Sequence, residues 1–170
     1  CSDFYDALVE ISSAPFSVSY TVAGELFSNN QQLTASVSGQ GNYVFALDGR
    51  DPQASPVFNN VTPGFHQLTV TDLNGCGSVS VEIYILDYPR FFTPNGDGFN
   101  DTWNIDLQAE GVTGSIFIFD RFGKLLKQLG TGAPGWDGTF NSRPLPSSDY
   151  WFLLKLNDGR QFKSHFSLKR

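Results

Sequence analysis

Residues 16–23 alternate apolar and polar side chains, the period of a strand with one buried face. Residues 33–38, 42–47, 57–61, 65–70 and 79–86 do the same. Turn formers separate these stretches at Gly39-Gln40-Gly41, Asp48-Gly49, Pro63-Gly64 and Asp72-Leu73-Asn74-Gly75. Gly39 and Gly41 lack a third glycine and lead into a strand, so they read as a turn and not as a phosphate cradle. Strands recurring every 8–12 residues or so between such turns predict an immunoglobulin-like β-sandwich.

The second half keeps the period of two. Residues 103–107, 114–120, 124–129, 150–156 and 161–168 read as strands, with turns at Arg121-Phe122-Gly123 and Asn157-Asp158-Gly159. Residues 136–141 read as a turn with a ring at each side, and residues 143–146 as extended chain. The expected fold class is therefore all-β: two tandem Ig-like antiparallel β-sandwich domains, at 1–88 and 89–170. Tyr88-Pro89-Arg90 joins them without a Gly/Ser linker, which implies a short joint.

Charge supports this division. Residues 1–88 carry nine acids and the single base Arg50, whereas residues 89–170 carry ten bases and eight acids. A change from −8 to +2 at one point fits two modules with different surfaces. Neither half has the basic stripe that nucleic acid requires, and no apolar run approaches the roughly 18 residues of a membrane span. The sequence contains no Met, so it reads as a fragment or a processed product. The isolated fragment is expected to be a monomer. Cys1 and Cys76 permit one disulfide. They fit equally well a Cys1 whose true neighbour lies elsewhere, and a lipidated Cys1 ranks last. No Cys/His set has zinc spacing.

Between the halves lies 91–103, with Asn95-Gly96 and Asp97-Gly98 back to back and Phe91, Phe92, Phe99 and Trp103 around them. Both dipeptides favour positive φ. A tight loop clamped by buried rings is expected. Asn95, Asp97, the Phe99 carbonyl and Asp101 are spaced as calcium ligands, with Asp120 or Asp137 as further oxygens. The alternative, slightly favoured, is that these carboxylates cap backbone N–H groups. No cofactor is required on either reading. Catalysis is not expected. His66 and His165 are the only histidines, each in an alternating strand, and no nucleophile elbow or Cys/His pair occurs.

Two resemblances follow from ordered motifs. Residues 42–48, 61–66 and 70–77, the last holding Asn74-Gly75-Cys76, resemble immunoglobulin-like repeats of Bacteroidetes surface adhesins and gliding-associated proteins. That resemblance implies a spacer or adhesive module. In the second half the order is Phe92-Thr93-Pro94-Asn95-Gly96-Asp97-Gly98 with Asn100-Asp101, then Phe119-Asp120-Arg121-Phe122-Gly123-Lys124, then Gly135-Trp136-Asp137-Gly138. Pro144-Leu145-Pro146 with Asp149-Tyr150-Trp151 follows, then Phe166, Leu168 and Arg170. This set resembles the type B C-terminal sorting domain of the type IX secretion system, the gliding motility-associated C-terminal domain.

The second resemblance implies an address that directs a larger cargo through the outer membrane to the cell surface or medium. The implied partners are the outer-membrane channel and its associated barrel proteins. The final strand is rich in cations, with Lys163, Lys169 and Arg170 beside Phe166 and Leu168. It reads as a solvated edge strand or as a docking strand whose rings anchor in this domain or in the partner. The alternative function is a carbohydrate-binding or adhesive module using Trp103, Trp136 or Trp151 as a sugar platform, although burial of all three is expected in a small domain.

Overall fold

A computed structural model describes residues 11–170, which fall into two compact units divided between Ile85 and Leu86. No helix occurs among the described residues. The division lies three residues before the expected 88/89 boundary because Leu86 and Tyr88 belong to the second core. The Leu86 N–H donates to Glu110, and the Tyr88 ring packs on Phe152 and Phe162.

The N-terminal unit has six described strands: β1 (Ser17–Ala23), β2 (Gln31–Ser38), β3 (Tyr43–Leu47), β4 (Val57–Val61), β5 (Gly64–Asp72) and β6 (Ser78–Ile85). They form two antiparallel sheets, β1-β2-β4 and β3-β5-β6. The chain changes sheet after β2, β3 and β4. This is the immunoglobulin sandwich connectivity without its fourth strand. Leu33, Phe45, Leu68, Val70, Ile83 and Ile85 fill the centre. The alternation in the sequence is the alternation in burial: β2 and β5 bury every second residue along most of their length.

One buried acid organises the end of this unit. Asp72 is 2% exposed and accepts hydrogen bonds from the Ser12 hydroxyl and the Asn42 and Cys76 backbone N–H groups. Burial alone would raise its carboxyl, but these bonds outweigh burial and hold it below the usual value. The Asn74-Gly75-Cys76 turn is thus shaped by the acid that precedes it.

The C-terminal unit is built on one five-stranded sheet. In spatial order it runs β7 (Phe91–Phe92), β13 (Gln161–Leu168), β12 (Ser148–Leu156), β8 (Gly114–Phe119) and β9 (Leu125–Gly130). All pairs are antiparallel except β13 with β7, which is parallel through Ser167↔Phe91 and Leu168↔Phe92. The final strand is therefore covered at its end and is an edge only before that point. A small ribbon, β10 (Thr139–Phe140) with β11 (Arg143–Pro144), completes the unit.

Residues 103–107 depart from expectation. They form a single bridge, Trp103↔Trp136, and no strand. Polar side chains divert the backbone. Asn104 Oδ1 accepts the Ile105 N–H, and Asp106 Oδ1 accepts the N–H groups of Gln108 and Ala109. The burial alternation survives: Trp103, Ile105 and Leu107 all lie in the core.

That core centres on Phe166. Its ring stacks on Trp103 at 3.8 Å and 9°, and meets Trp136 edge-on at 6.1 Å. Phe92, Tyr150 and Phe152 complete the cluster. Trp103→Ala is expected to cost roughly 3–5 kcal/mol, as buried ring truncations do. Urea unfolding should show a lower midpoint for the C-terminal unit and an unchanged one for the N-terminal unit. A loss below about 1 kcal/mol would place the indole outside the essential core.

Candidate functional site

The loop after β7 is held by one carboxylate. Asp101 Oδ1 accepts the N–H groups of Asn95 (2.9 Å) and Gly96 (2.7 Å), and Oδ2 accepts that of Gly98 (2.8 Å). Asp97 Oδ1 accepts the Phe99 N–H, and its Oδ2 accepts the Asn95 side-chain amide. Gly96 and Gly98 sit at φ of 80° and 88°, the left-handed region that the two turn dipeptides lead one to expect, and Asn100 also adopts it at 50°. The Gly96 and Gly98 N–H groups, with a smaller share from Asn95, hold the Asp101 carboxyl below its ordinary range.

N–H dipoles converge on the carboxylate oxygens, the geometry expected of the N–H-capping alternative. Asp120 and Asp137 cap turns in the same way through one oxygen each. Asp120 Oδ1 accepts from the Phe122 and Lys124 N–H groups, and Asp137 Oδ1 from the Thr139 N–H and hydroxyl. Among the described residues, no three His, Cys, Asp or Glu side chains converge as a metal site would. Asn95, Asp97, Phe99 and Asp101 share one loop, knit by hydrogen bonds among them. The rings also differ from expectation: Phe92 and Trp103 are buried, whereas Phe91 and Phe99 are exposed.

The sequence motifs meet at the chain's last residue. The Arg170 guanidinium donates to the carbonyls of Leu145 (3.1 Å), Gly138 (3.3 Å) and Pro94 (3.4 Å), and its backbone N–H donates to the Ser147 hydroxyl. Lys169 N–H bonds to the Phe92 carbonyl. One side chain thus ties the Thr93-Pro94-Asn95 loop, the Trp136-Asp137-Gly138 turn and the Pro144-Leu145-Pro146 segment together. Gly138 is required here. Its φ is +76°, and a Cβ would lie 2.5 Å from a Leu168 methyl and 3.2 Å from Phe92 and Arg170. The Asp120–Lys124 motif lies apart, as the β8–β9 turn. There Gly123 has φ 81° and its N–H donates to the Asp120 carbonyl.

Other sequence candidates separate cleanly. Phe166 and Leu168 are each 1% exposed, so they anchor this domain's own core and cannot also enter a partner. Lys163, Lys169 and Arg170 remain at the surface. Trp103 and Trp136 are buried and donate to the carbonyls of Pro89 and Thr139, which leaves Trp151, at 43% exposure, as the accessible indole. His66 bonds to Asp48 and to the Thr62 carbonyl. Cys76 is exposed, and its candidate disulfide partner Cys1 lies outside the described residues.

The Asp101 cap makes a pH prediction. Its folded value lies below the unfolded one, so its stabilisation is complete above the unfolded value of about 3.9 and fades as pH falls through the folded value. Asp101→Asn should lower the thermal midpoint at pH 7, and the gap to wild type should close below about pH 3.9. The wild-type midpoint at pH 7 should be the same with chelator and with added calcium. A calcium-dependent rise absent from Asp101→Asn would establish a metal-bound loop instead.

Comparison with known proteins agrees with the motif order. Residues 86–168 match the family model described as the CHU_C type IX secretion signal domain. A search of curated proteins gives no match. Among solved structures, dimeric latent PorU from Porphyromonas gingivalis aligns over 88% of this chain and 20% of its own, with 16% identity and a TM-score of 0.34. The chain thus spans about a fifth of that protein's length. The family match starts and ends with the compact C-terminal unit, within two residues. The C-terminal unit is a type IX secretion signal domain of the CHU_C family.

Proposed function

We propose that the C-terminal unit is read as a folded address by the outer-membrane channel of the type IX system and its associated barrel proteins. The N-terminal sandwich is then a spacer repeat of the exported cargo, delivered with it to the cell surface or medium. The observation that supports this most is the convergence on Arg170. Four of the ordered motifs are brought to one corner by hydrogen bonds to the last two residues and by the packing of Phe166 and Leu168. A motif set of that kind describes one shaped surface and not a linear tag.

The exposed cations Lys163, Lys169 and Arg170 lie on or just after the final strand, where they can face an acidic partner. On this reading the unit acts by recognition and carries out no chemistry of its own. The sugar-binding alternative loses two of its three candidate platforms to the core.

A periplasm-targeted fluorescent reporter fused ahead of the full chain should reach the surface or medium of a host with a type IX system. The same reporter carrying only residues 1–85 should remain in the periplasm. Arg170→Ala should reduce delivery several-fold while the N-terminal unit's melting is unchanged. Equal export of both fusions would overturn the proposal.

A further inference from the structure

The strand register defines the outer face of the five-stranded sheet. Its central rows are Leu125–Phe119–Trp151–His165, Gln128–Phe117–Leu153–Lys163 and Gly130–Ser115–Lys155–Gln161. Cross-strand partners share a face, so Trp151, Phe119, Phe117 and Leu153 form a contiguous apolar centre. Trp151 is 43% and Leu125 46% exposed, and Phe117, Phe119 and Leu153 are half-buried. A depression of about 420 Å³ between Phe119, Trp151, Leu153 and Lys163 marks the middle.

Ordinary sheet construction does not explain this face. The N-terminal unit shows the usual solution: the outer face of β5–β6 pairs Gln67 with Glu82, Thr69 with Ser80 and Thr71 with Ser78, and turns apolar only at its Phe65–Tyr84 end. A solvated face has no reason to carry two phenylalanines, a tryptophan and a leucine side by side.

The rim specifies the occupant. Arg121, Lys155, Lys163 and His165 surround the apolar centre. The nearby carboxylates are committed: Asp120 to its turn N–H groups, and Asp149, in register on the same face, to the Ser167 hydroxyl. The Lys155 ammonium lies 5.8 Å from the Phe117 ring centre. An aromatic centre flanked by the cations Arg121, Lys155 and Lys163 fits an acidic polypeptide bearing aromatic or aliphatic side chains. It does not fit a glycan, whose hydroxyls need several hydrogen-bond donors and acceptors at the platform, whereas the central side chains here offer one donor, the indole N–H, and no acceptor.

We infer that the outer face of the five-stranded sheet, centred on Trp151 and Leu153, is a second docking surface of this domain, and that its occupant is an acidic, apolar segment of a protein of the export machinery. It is separate from the Arg170 corner, and its cellular role rests on the export reading above.

Two arms test it on the full chain. With Trp103 and Trp136 buried, acrylamide quenching of tryptophan emission reports mainly on Trp151. A random copolymer of glutamate and tyrosine should protect this emission, less so at high salt. The double variant Lys155→Glu/Lys163→Glu should weaken that binding at least about tenfold, the scale of a hot-spot loss. In the second arm, Trp151→Ser should cut export of the reporter fusion about tenfold with an unchanged melting midpoint. No protection by the acidic copolymer, or equal protection by a lysine–tyrosine copolymer, overturns the inference. Protection by a soluble neutral polysaccharide alone reassigns the face to a glycan and overturns it as well. Normal export of Trp151→Ser overturns the docking role in export. Failure of the wild-type fusion to be exported, with copolymer protection intact, overturns the export reading and leaves the acidic-peptide surface standing.

Discussion

The C-terminal unit depends on the contact between Phe166 and Trp103. Phe166 comes from the last strand, and Trp103 from a segment with almost no sheet pairing of its own. The segment keeps its place because the indole lies flat on a core ring while its N–H donates to the Pro89 carbonyl at 2.7 Å. Without a ladder to fix residues 103–107, burial of Trp103, Ile105 and Leu107 does so. Phe92, Trp136, Tyr150 and Phe152 then pack on the same ring. One motif glycine, Gly138, follows from this crowding. Gly138 leaves room for Leu168 and Arg170 where any Cβ would displace them.

A second device recurs in both units. Asp72, Asp101, Asp120 and Asp137 each accept at least one backbone N–H at a turn, and Asp101 accepts three. In sequence these acids look like metal ligands or like charge. In the fold they give unpaired turn donors an acceptor, which the backbone alone cannot supply in so tight a loop.

Periodicity made most of the fold legible. All six N-terminal strands lie within two residues of their expected ends, and Gln161–Leu168 coincides with its expected span. The failures have identifiable causes. Residues 103–107 alternate correctly but are turned from the ladder by Asn104 and Asp106, a competition that a pattern of burial does not register. The two-residue strand Phe91–Phe92 is too short to show a period and pairs with residues far along the chain. At the candidate site, the motifs were visible but their meeting point was not, because Arg170 reaches three carbonyls distant in sequence. Phe166 and Leu168 alternate with polar neighbours whether they anchor inward or in a partner. Only the packed structure distinguishes the two.

The path of the chain bears on how an address of this kind is read. Phe91 and Phe92 open the unit and pair with Ser167 and Leu168 at its end, so the beginning and the end of the signal lie side by side. The Thr93-Pro94-Asn95 loop bonds to Arg170, just past the end of β13, which lies between β12 and β7. Phe166, the ring on which Trp103 and Trp136 settle, arrives with that same strand. The motif surface therefore exists only in the completed fold. On the proposed export reading, a receptor for the Arg170 corner would also recognise that the domain is whole, because the contacts that shape that corner are those that close the core.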